Sequence, residues 1–413
     1  MAKIEQPQRV IVIGGGAAGF FGAIACAQAH PHADVQILES QKDVLTKVKI
    51  SGGGRCNVTH SCFEPAQLMQ NYPRGNRALR GAMTRFQPRD TVQWFKSHGV
   101  KLKTESDGRM FPVTNESQTI IDCLLATAKR HHVKVQTSVL VKTVAHDSES
   151  AEFEVNLKDG RRLKCDRLLL ATGSHPSGYK IAKSLGHKLE SPVPSLFTFQ
   201  IPDSKLKALA GVSVQDVALA LKVGSTTLKQ DGPLLITHWG VSGPAVLKLS
   251  AWGARDLHEA KYQSVLRVNW LPQENAEQLR NHLTQLKQSW SRRQIATHNP
   301  VSLPMRLWQY FVAIAPIKPE KRWADLSKKE LNKLLQLLTQ SQFPISGKGV
   351  FKDEFVTCGG IKLKEVNFKT MESRVCPGLY LAGELLDVDG VTGGFNFQNA
   401  WTTGWLAGQA IGL

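Results

Sequence analysis

Gly14, Gly16 and Gly19 stand in G-x-G-x-x-G spacing directly after the apolar run Val10 to Ile13, and an acid, Glu39, follows 20 residues beyond the last of them. Each residue type has a use in holding a dinucleotide. Gly14 permits a tight turn, Gly16 lets the backbone approach a pyrophosphate, and Gly19 lets a helix pack closely on the strand. Free N–H groups at the helix start attract the anion. Glu39 would accept hydrogen bonds from a ribose, and an acid there favours FAD or NAD over NADP. A glycine turn in an ordinary strand-loop-helix shows the same three glycines; the strand before, the helix after and the distant acid separate the two.

Ser51 to Asn57 reads S-G-G-G-R-C-N. Three consecutive glycines exclude a regular helix or strand. Lysines before this segment and Arg55, Cys56 and Asn57 after it offer donors for anionic or carbonyl oxygens; a flexible surface loop is the plainer reading. His238, in the stretch L-L-I-T-H-W-G-V-S-G-P, is a candidate proton donor or base-recognition group because imidazole titrates near neutrality. A histidine bonded within its own domain is the alternative. Near the end, G-L-Y-L-A-G-E is followed by Gly393 and Gly394. A glycine pair at a helix start would set N–H groups against the pyrimidine edge of a flavin, where negative charge develops on reduction.

Elements must position these residues. Val10 to Ile13 reads as a strand, Ala17 to Ala29 as a small-residue helix and Val35 to Leu38 as a second strand, which makes a β-α-β unit. From Pro73 to Arg109 nine cations, among them Arg77, Arg80, Arg89, Lys96 and Lys101, face only Asp90, Glu105 and Asp107. A solvated helical face and a phosphate-tracking patch both fit that pattern. Ile120 to Arg130 reads as a helix. Val133 to Val144, Glu152 to Leu157 and Arg162 to Lys164 read as strands of a small antiparallel insertion. Asp166 to Gly173 returns to the parallel-strand style, and Ser195 to Trp270 is strand-rich, which points to a barrel or sandwich. Glu274 to Gln342 is helical in pattern and carries a second concentration of lysine and arginine, interleaved with Trp290, Trp308, Tyr310 and Trp323. Those aromatics read mostly as core, and the charge as a positive helical cap. A last small-residue helix runs from Ala400 to Ile411.

The chain has 413 residues, enough for two or three domains. Hydrophobic residues make up 42% and charged residues 21%, as in a globular protein with a sizeable core. No stretch approaches the ~20 apolar residues of a membrane helix, and the start runs directly into the first strand, so a cytoplasmic location is expected. Seven scattered cysteines without a C-x-x-C pair indicate reduced thiols and no metal site. With 52 Lys and Arg against 34 Asp and Glu, the net charge is +18. Such an excess biases a protein toward polyanions, nucleic acid above all, or serves solubility alone.

The combination of GGGAAG, ISGGGRCNVTH, THWGVSGP, VTCGGI and GLYLAGELLDVDGVTGGFNFQNAW resembles the YhiN/BaiN-like FAD-dependent flavoprotein family, also described as aminoacetone oxidase-like or HI-type. The resemblance runs from Val10 to the C-terminus. It implies an α/β fold: a Rossmann-like, glutathione reductase-like FAD-binding domain from residues 1–190 and 350–413, an inserted β-barrel domain at 191–273 that recruits strands near 345, and a small basic helical domain at 274–345. FAD would contact Gly14, Gly16, Ala18, Gly19, Glu39, Lys47, Arg55, Cys56, Asn57, Ala171, Thr172, Gly173, Gly383, Glu384, Gly394, Asn396, Phe397 and Gln398. Two departures stand out: Leu45 and Thr46 precede Lys47 where many members have Gly-Arg, and the loop from Thr172 to Tyr179 is short.

Members of that family include a ribosomal RNA dihydrouridine synthase, amine oxidases and enone reductases. Two basic concentrations favour the first activity, with RNA phosphates held over a positive surface and a uracil extruded into a pocket. The reading is therefore a flavoprotein oxidoreductase that uses NAD(P)H as a transient reductant on ribosomal RNA. Cys56, Cys358 and His238 are the candidate acids that protonate the base. A small-molecule oxidase or reductase, and a non-catalytic RNA binder, are the alternatives.

Overall fold

Four β-branched residues in a row make Arg9–Ile13 a strand buried on both faces. It is the middle of the five parallel strands in a seven-stranded sheet. Arg167–Leu170 and Asp34–Leu38 lie parallel on its two sides, Leu379–Leu381 extends one flank and Lys134–Gln136 the other. Val366–Asn367 and Glu372–Ser373 add two short antiparallel strands at the edge. The computed structural model describes residues 7–224, 226–349 and 356–412. Met1–Pro192 and Val356–Leu413 form one compact unit, and Val193–Phe355 forms the other. The first is a Rossmann-like α/β domain built from both ends of the chain.

The helix Ala17–Ala29 is small and apolar all round, and ten consecutive residues from Ala18 to Ala27 are buried. A helix of that kind belongs inside a domain rather than on it. The helix Phe395–Ala410 packs on it; it starts five residues earlier than the sequence suggests, because Gly394 takes a left-handed N-cap with φ +94°. The antiparallel insertion is present as Val141–His146, Phe153–Leu157 and Arg162–Cys165. The strand expected to begin it at Val133 divides: Lys134–Gln136 joins the parallel sheet beside Asp34–Leu38, and only the chain after it turns antiparallel.

In the second unit seven strands pair antiparallel, with Ser341–Ile345 at one edge and Gly347–Lys348 at the other. Only Ser346 separates those two edges in sequence. One short stretch of chain therefore serves both ends of the sheet, which must roll into a barrel. Closure removes exposed edges. The helices Ala276–Ser289, Met305–Ile314 and Lys328–Gln340 place Leu279, Leu283, Phe311, Leu334 and Leu338 in the same apolar core as Leu266, Val268 and Phe343 of the strands. Trp308 and Trp323 are fully buried there.

A buried polar relay braces the first unit. His187 Nδ1 lies 3.0 Å from Glu365 Oε2, and its Nε2 lies 2.9 Å from the Ser373 hydroxyl. Burial pushes the imidazole below its ordinary value of 6.5, against the opposing pull of Glu365. The unfolded chain therefore takes up this proton first, so the contribution of His187 is complete above pH ~6.5 and is lost as pH falls toward the folded value. Urea midpoints at about pH 7.5 and about pH 5.5 should show a drop in the native chain that is smaller in His187→Gln. Equal drops in both proteins would remove His187 from the pH response.

Candidate functional site

The glycine motif is closed on one side and open on the other. Gly14 sits at φ +114°, where a Cβ would lie 2.4 Å from the Ala171 carbonyl oxygen, and a Cβ on Gly19 would lie 1.9 Å from the Gly14 carbonyl oxygen. A Cβ on Gly16 would meet nothing within 4 Å. Gly16 is also the N-cap of Ala17–Ala29, with no side chain capping that helix and no acid in its first turn. The first N–H groups thus face an open cradle, the arrangement that receives an anion. Beside it, Glu39 Oε2 accepts from the Gly15 N–H at 2.7 Å, and Oε1 accepts from the Gln41 N–H at 2.8 Å and the Ser40 hydroxyl at 3.1 Å. A carboxylate can accept about four hydrogen bonds, so Glu39 is oriented and still has capacity for a ribose hydroxyl.

A second uncapped helix end lies in the same unit. Phe395–Ala410 begins at Gly394 without a side-chain cap or an acid in its first turn. A Cβ on Gly404 would lie 2.6 Å from the Ala18 carbonyl oxygen, and one on Gly408 would lie 2.3 Å from that of Gly22. Residue numbers rise together along this seam, so the two helices run parallel. Matching Ala18 to Gly404 places Gly394 about eight residues, or ~12 Å, beyond Gly16 along the axis. Two positive helix ends at that separation suit a long ligand with an electron-rich group at each.

Loops complete the setting. The Leu45 N–H donates to the Gly15 carbonyl at 2.8 Å, and Lys47 Nζ meets Glu384 Oε2 at 2.5 Å. Glu384 Oε1 accepts from the Thr357 N–H at 2.9 Å, beside Cys358. Gly383 takes φ +76°, and a Cβ there would lie 2.8 Å from Ala18 Cβ. In the segment after Ile50, Gly52, Gly53 and Gly54 are all left-handed and exposed, in line with the glycine run. With its amide oriented to satisfy both atoms, Asn57 donates to the Thr59 carbonyl and accepts from the Gly394 N–H at 3.0 Å. The Asn396 amide brackets Gly390 with two bonds of 2.8 Å.

Other expected site residues make contacts within the protein. The Gln398 side chain is fully buried, accepts from Thr59 at 2.6 Å and Thr91 at 2.9 Å, and donates to Thr402 at 3.0 Å. It braces the core. Arg55 pairs with Glu105 at 2.6 Å and covers the Phe111 ring at 4.0 Å. Phe397 stacks on Trp401, and Thr172 keeps its hydroxyl buried without a partner. Cys56 is fully buried and burial pushes its thiol up to about 12, a thiol that stays protonated at neutrality and gives its proton up reluctantly. Cys358 is buried in the strand Val356–Ile361. His238 lies exposed on the turn between Thr226–Thr237 and Gly240–Ser242 of the second unit. Sequence reasoning missed the Arg74–Asp389 ion pair, buried at the start of the loop that leads to Gly394. It also missed the glycine seam, whose signal was the spacing of Gly404 and Gly408 in the last helix. Among the described residues no group of three His, Cys, Asp or Glu could hold a metal ion, and no helix is long and apolar enough to cross a membrane.

The family described as HI0933-like protein Rossmann domain matches residues 8–410. A 3-dehydro-bile acid delta(4,6)-reductase of Clostridium scindens is 32% identical over 97% of this chain and 98% of its own. A ribosomal RNA dihydrouridine synthase of Escherichia coli is 31% identical over 97% of each chain. Among solved structures, the 3-ketosteroid-delta4-(5alpha)-dehydrogenase from Rhodococcus jostii superposes with a TM-score of 0.51 at 13% identity, covering all of this chain and 98% of that one.

The two motif glycines should respond differently to one added methyl group. Gly19→Ala drives a Cβ into the Gly14 carbonyl and should lower the melting temperature or abolish soluble expression. Gly16→Ala has room within the protein and should keep the melting temperature of the cofactor-stripped chain while losing most bound flavin. Equal flavin content in Gly16→Ala and native protein would show that the cradle is not the cofactor's.

Proposed function

The chain belongs to the HI0933-like family and is an FAD-dependent oxidoreductase, and from that premise we propose that it uses NAD(P)H to reduce a uridine of ribosomal RNA to dihydrouridine. The open cradle at Gly16 and the capacity left on Glu39 fit the cofactor. Gly14, Gly16, Ala18 and Gly19 would hold the pyrophosphate, Glu39 the ribose, and Ala171 to Gly173 would flank the adenine half. Lys47, Asn57, Gly383, Glu384, Gly394, Asn396 and Phe397 would surround the flavin half. Arg55, Cys56 and Gln398 would support that shell from behind, given the partners and burial described above.

Reduced FAD supplies a hydride to an electron-poor carbon–carbon double bond conjugated to a carbonyl. In uracil the hydride goes to C6 and a proton to C5. The protein's part is to orient the base, exclude water and deliver the proton. The candidate donors are Cys56, whose thiol burial keeps protonated at neutrality, Cys358 and His238.

The observation that carries the RNA reading is the net charge of +18, expressed as two sets of exposed cations. Arg77, Arg80, Lys96 and Lys101 are exposed in the first unit; Arg292, Lys318, Arg322, Lys328, Lys329 and Lys333 are exposed in the second. None of these ten pairs with a carboxylate among the described residues. The relative named as a ribosomal RNA dihydrouridine synthase supports the same substrate, which would place the enzyme in the cytoplasm. The relative named as a bile acid reductase supports a second reading, reduction of a small enone by the same chemistry.

Nucleoside mass spectrometry on ribosomal RNA separates the two. Deletion of the gene should remove a dihydrouridine that returns on complementation with the native chain. An unchanged modification profile, with NADH-driven turnover of a free enone that is insensitive to salt, would establish the second reading instead.

A further inference from the structure

We propose that the exposed cations of the helix Asn76–Met83 and the segment following it form the track that holds the RNA backbone beside the candidate site; this inference rests on the ribosomal RNA reading. Arg77 and Arg80 are three residues apart and so share one face of the helix. Both are exposed, and neither side chain makes a hydrogen bond or ion pair among the described residues. The same holds for Lys96, in the last turn of Pro88–Ser97, and for Lys101 just beyond it. Arg85, between the two helices, and Arg89, in the first turn of the second, are exposed as well. Arg85 donates to the Lys369 carbonyl, and Arg89 lies 5.2 Å from the centre of the Phe63 ring. The one acid in the stretch from 76 to 101 is Asp90, and it is taken by the helix itself: its carboxylate accepts from the Gln87 N–H at 2.8 Å. Six cations thus stand on this stretch with no opposing charge of their own.

The position of the track follows from how its first helix is anchored. Arg74, one residue before the N-cap Gly75, forms the buried ion pair with Asp389. Burial alone would lower the Arg74 pKa, and the charge of Asp389 outweighs it and holds the value up. Gly75 sits at φ +83°, and a Cβ there would lie 2.6 Å from the Val388 side chain. The basic helix therefore starts on the loop Val388–Asp389, which continues through Gly390 and its Asn396 bracket to Gly394. A phosphate chain laid along Arg77 and Arg80 would enter next to the N terminus of Phe395–Ala410. The second unit has paired cations beside its exposed ones. Lys321 is paired with Glu330, Lys287 donates to the Leu326 carbonyl and Arg280 to Asn332, so part of that charge serves the helices that carry it.

The test measures the affinity of the flavin-loaded full chain for ribosomal RNA from the deletion strain across a salt series. Loss of two phosphate contacts in Arg77→Gln/Arg80→Gln should weaken binding roughly tenfold and flatten the slope of log affinity against log salt by about 1.4 to 1.8. The flavin spectrum, the melting temperature and the rate of flavin bleaching by NADH should stay at native values. Lys328→Gln/Lys329→Gln in the second unit is the comparison and should change the slope less. An unchanged slope in the first variant, or a larger change in the second, would overturn the assignment of the track. Native protein that binds no ribosomal RNA would instead overturn the substrate reading beneath it.

Discussion

The first unit depends on how closely its two end helices approach. Glycine inside a helix costs about 1 kcal/mol relative to alanine, and Gly19, Gly22, Gly404 and Gly408 all sit inside the two helices. The cost is offset by contact: would-be Cβ atoms on Gly404 and Gly408 fall 2.6 and 2.3 Å from carbonyl oxygens of the opposite helix. With backbones that near, a residue sliding by one turn would strike a side chain. The seam therefore fixes the axial register of the helices, and with it the distance between their N termini. Gly16 and Gly394, about 380 positions apart in the chain, are held at a set separation by that register.

The local half of this arrangement was legible in the sequence. The strand, turn, helix and acid from Arg9 to Glu39 follow from β-branching, glycine spacing and small residues, and the helix Ala17–Ala29 begins and ends where those features place it. The irregular Ser51–Asn57 segment was legible too, since three glycines in a row leave little else. What was not legible involves partners far apart. Nothing near Lys47 announces Glu384, 337 residues on, as the carboxylate it meets. Nothing near Gln398 shows that Thr59 and Thr91 will take its amide. Lys134–Gln136 is only three residues long, too short for alternation to say which sheet it joins. Closure of the barrel rests on Ser346 standing between two edge strands, a property of the pairing and not of any residue type.

Glu384 links the cofactor region to the strand that carries Cys358. One oxygen holds Lys47 and the other holds the Thr357 N–H. Lys47 is largely exposed and Glu384 largely buried, so an isolated surface pair is a poor description of them. A half-buried carboxylate tied to a backbone amide keeps its geometry even if the lysine end moves in solvent. The two contacts thus differ: the Thr357 N–H holds Glu384 from the backbone, while Lys47 reaches it from the solvent side.

A curated bile acid reductase and a curated RNA-modifying enzyme are about equally similar to this chain along their whole lengths, so overall likeness does not separate a small enone from a nucleobase. In either reading the loops around the glycine motif would answer to the cofactor. Discrimination must come from what surrounds the reacting group. A small monovalent anion would need one cation; exposed Arg77, Arg80, Lys96 and Lys101 pair with no carboxylate among the described residues, and Arg77 and Arg80 share one helix face. A polyphosphate chain would engage several such cations at once, with release of its condensed counterions as a driving force. The charge pattern thus supports the proposed ribosomal RNA substrate on grounds that overall likeness does not supply.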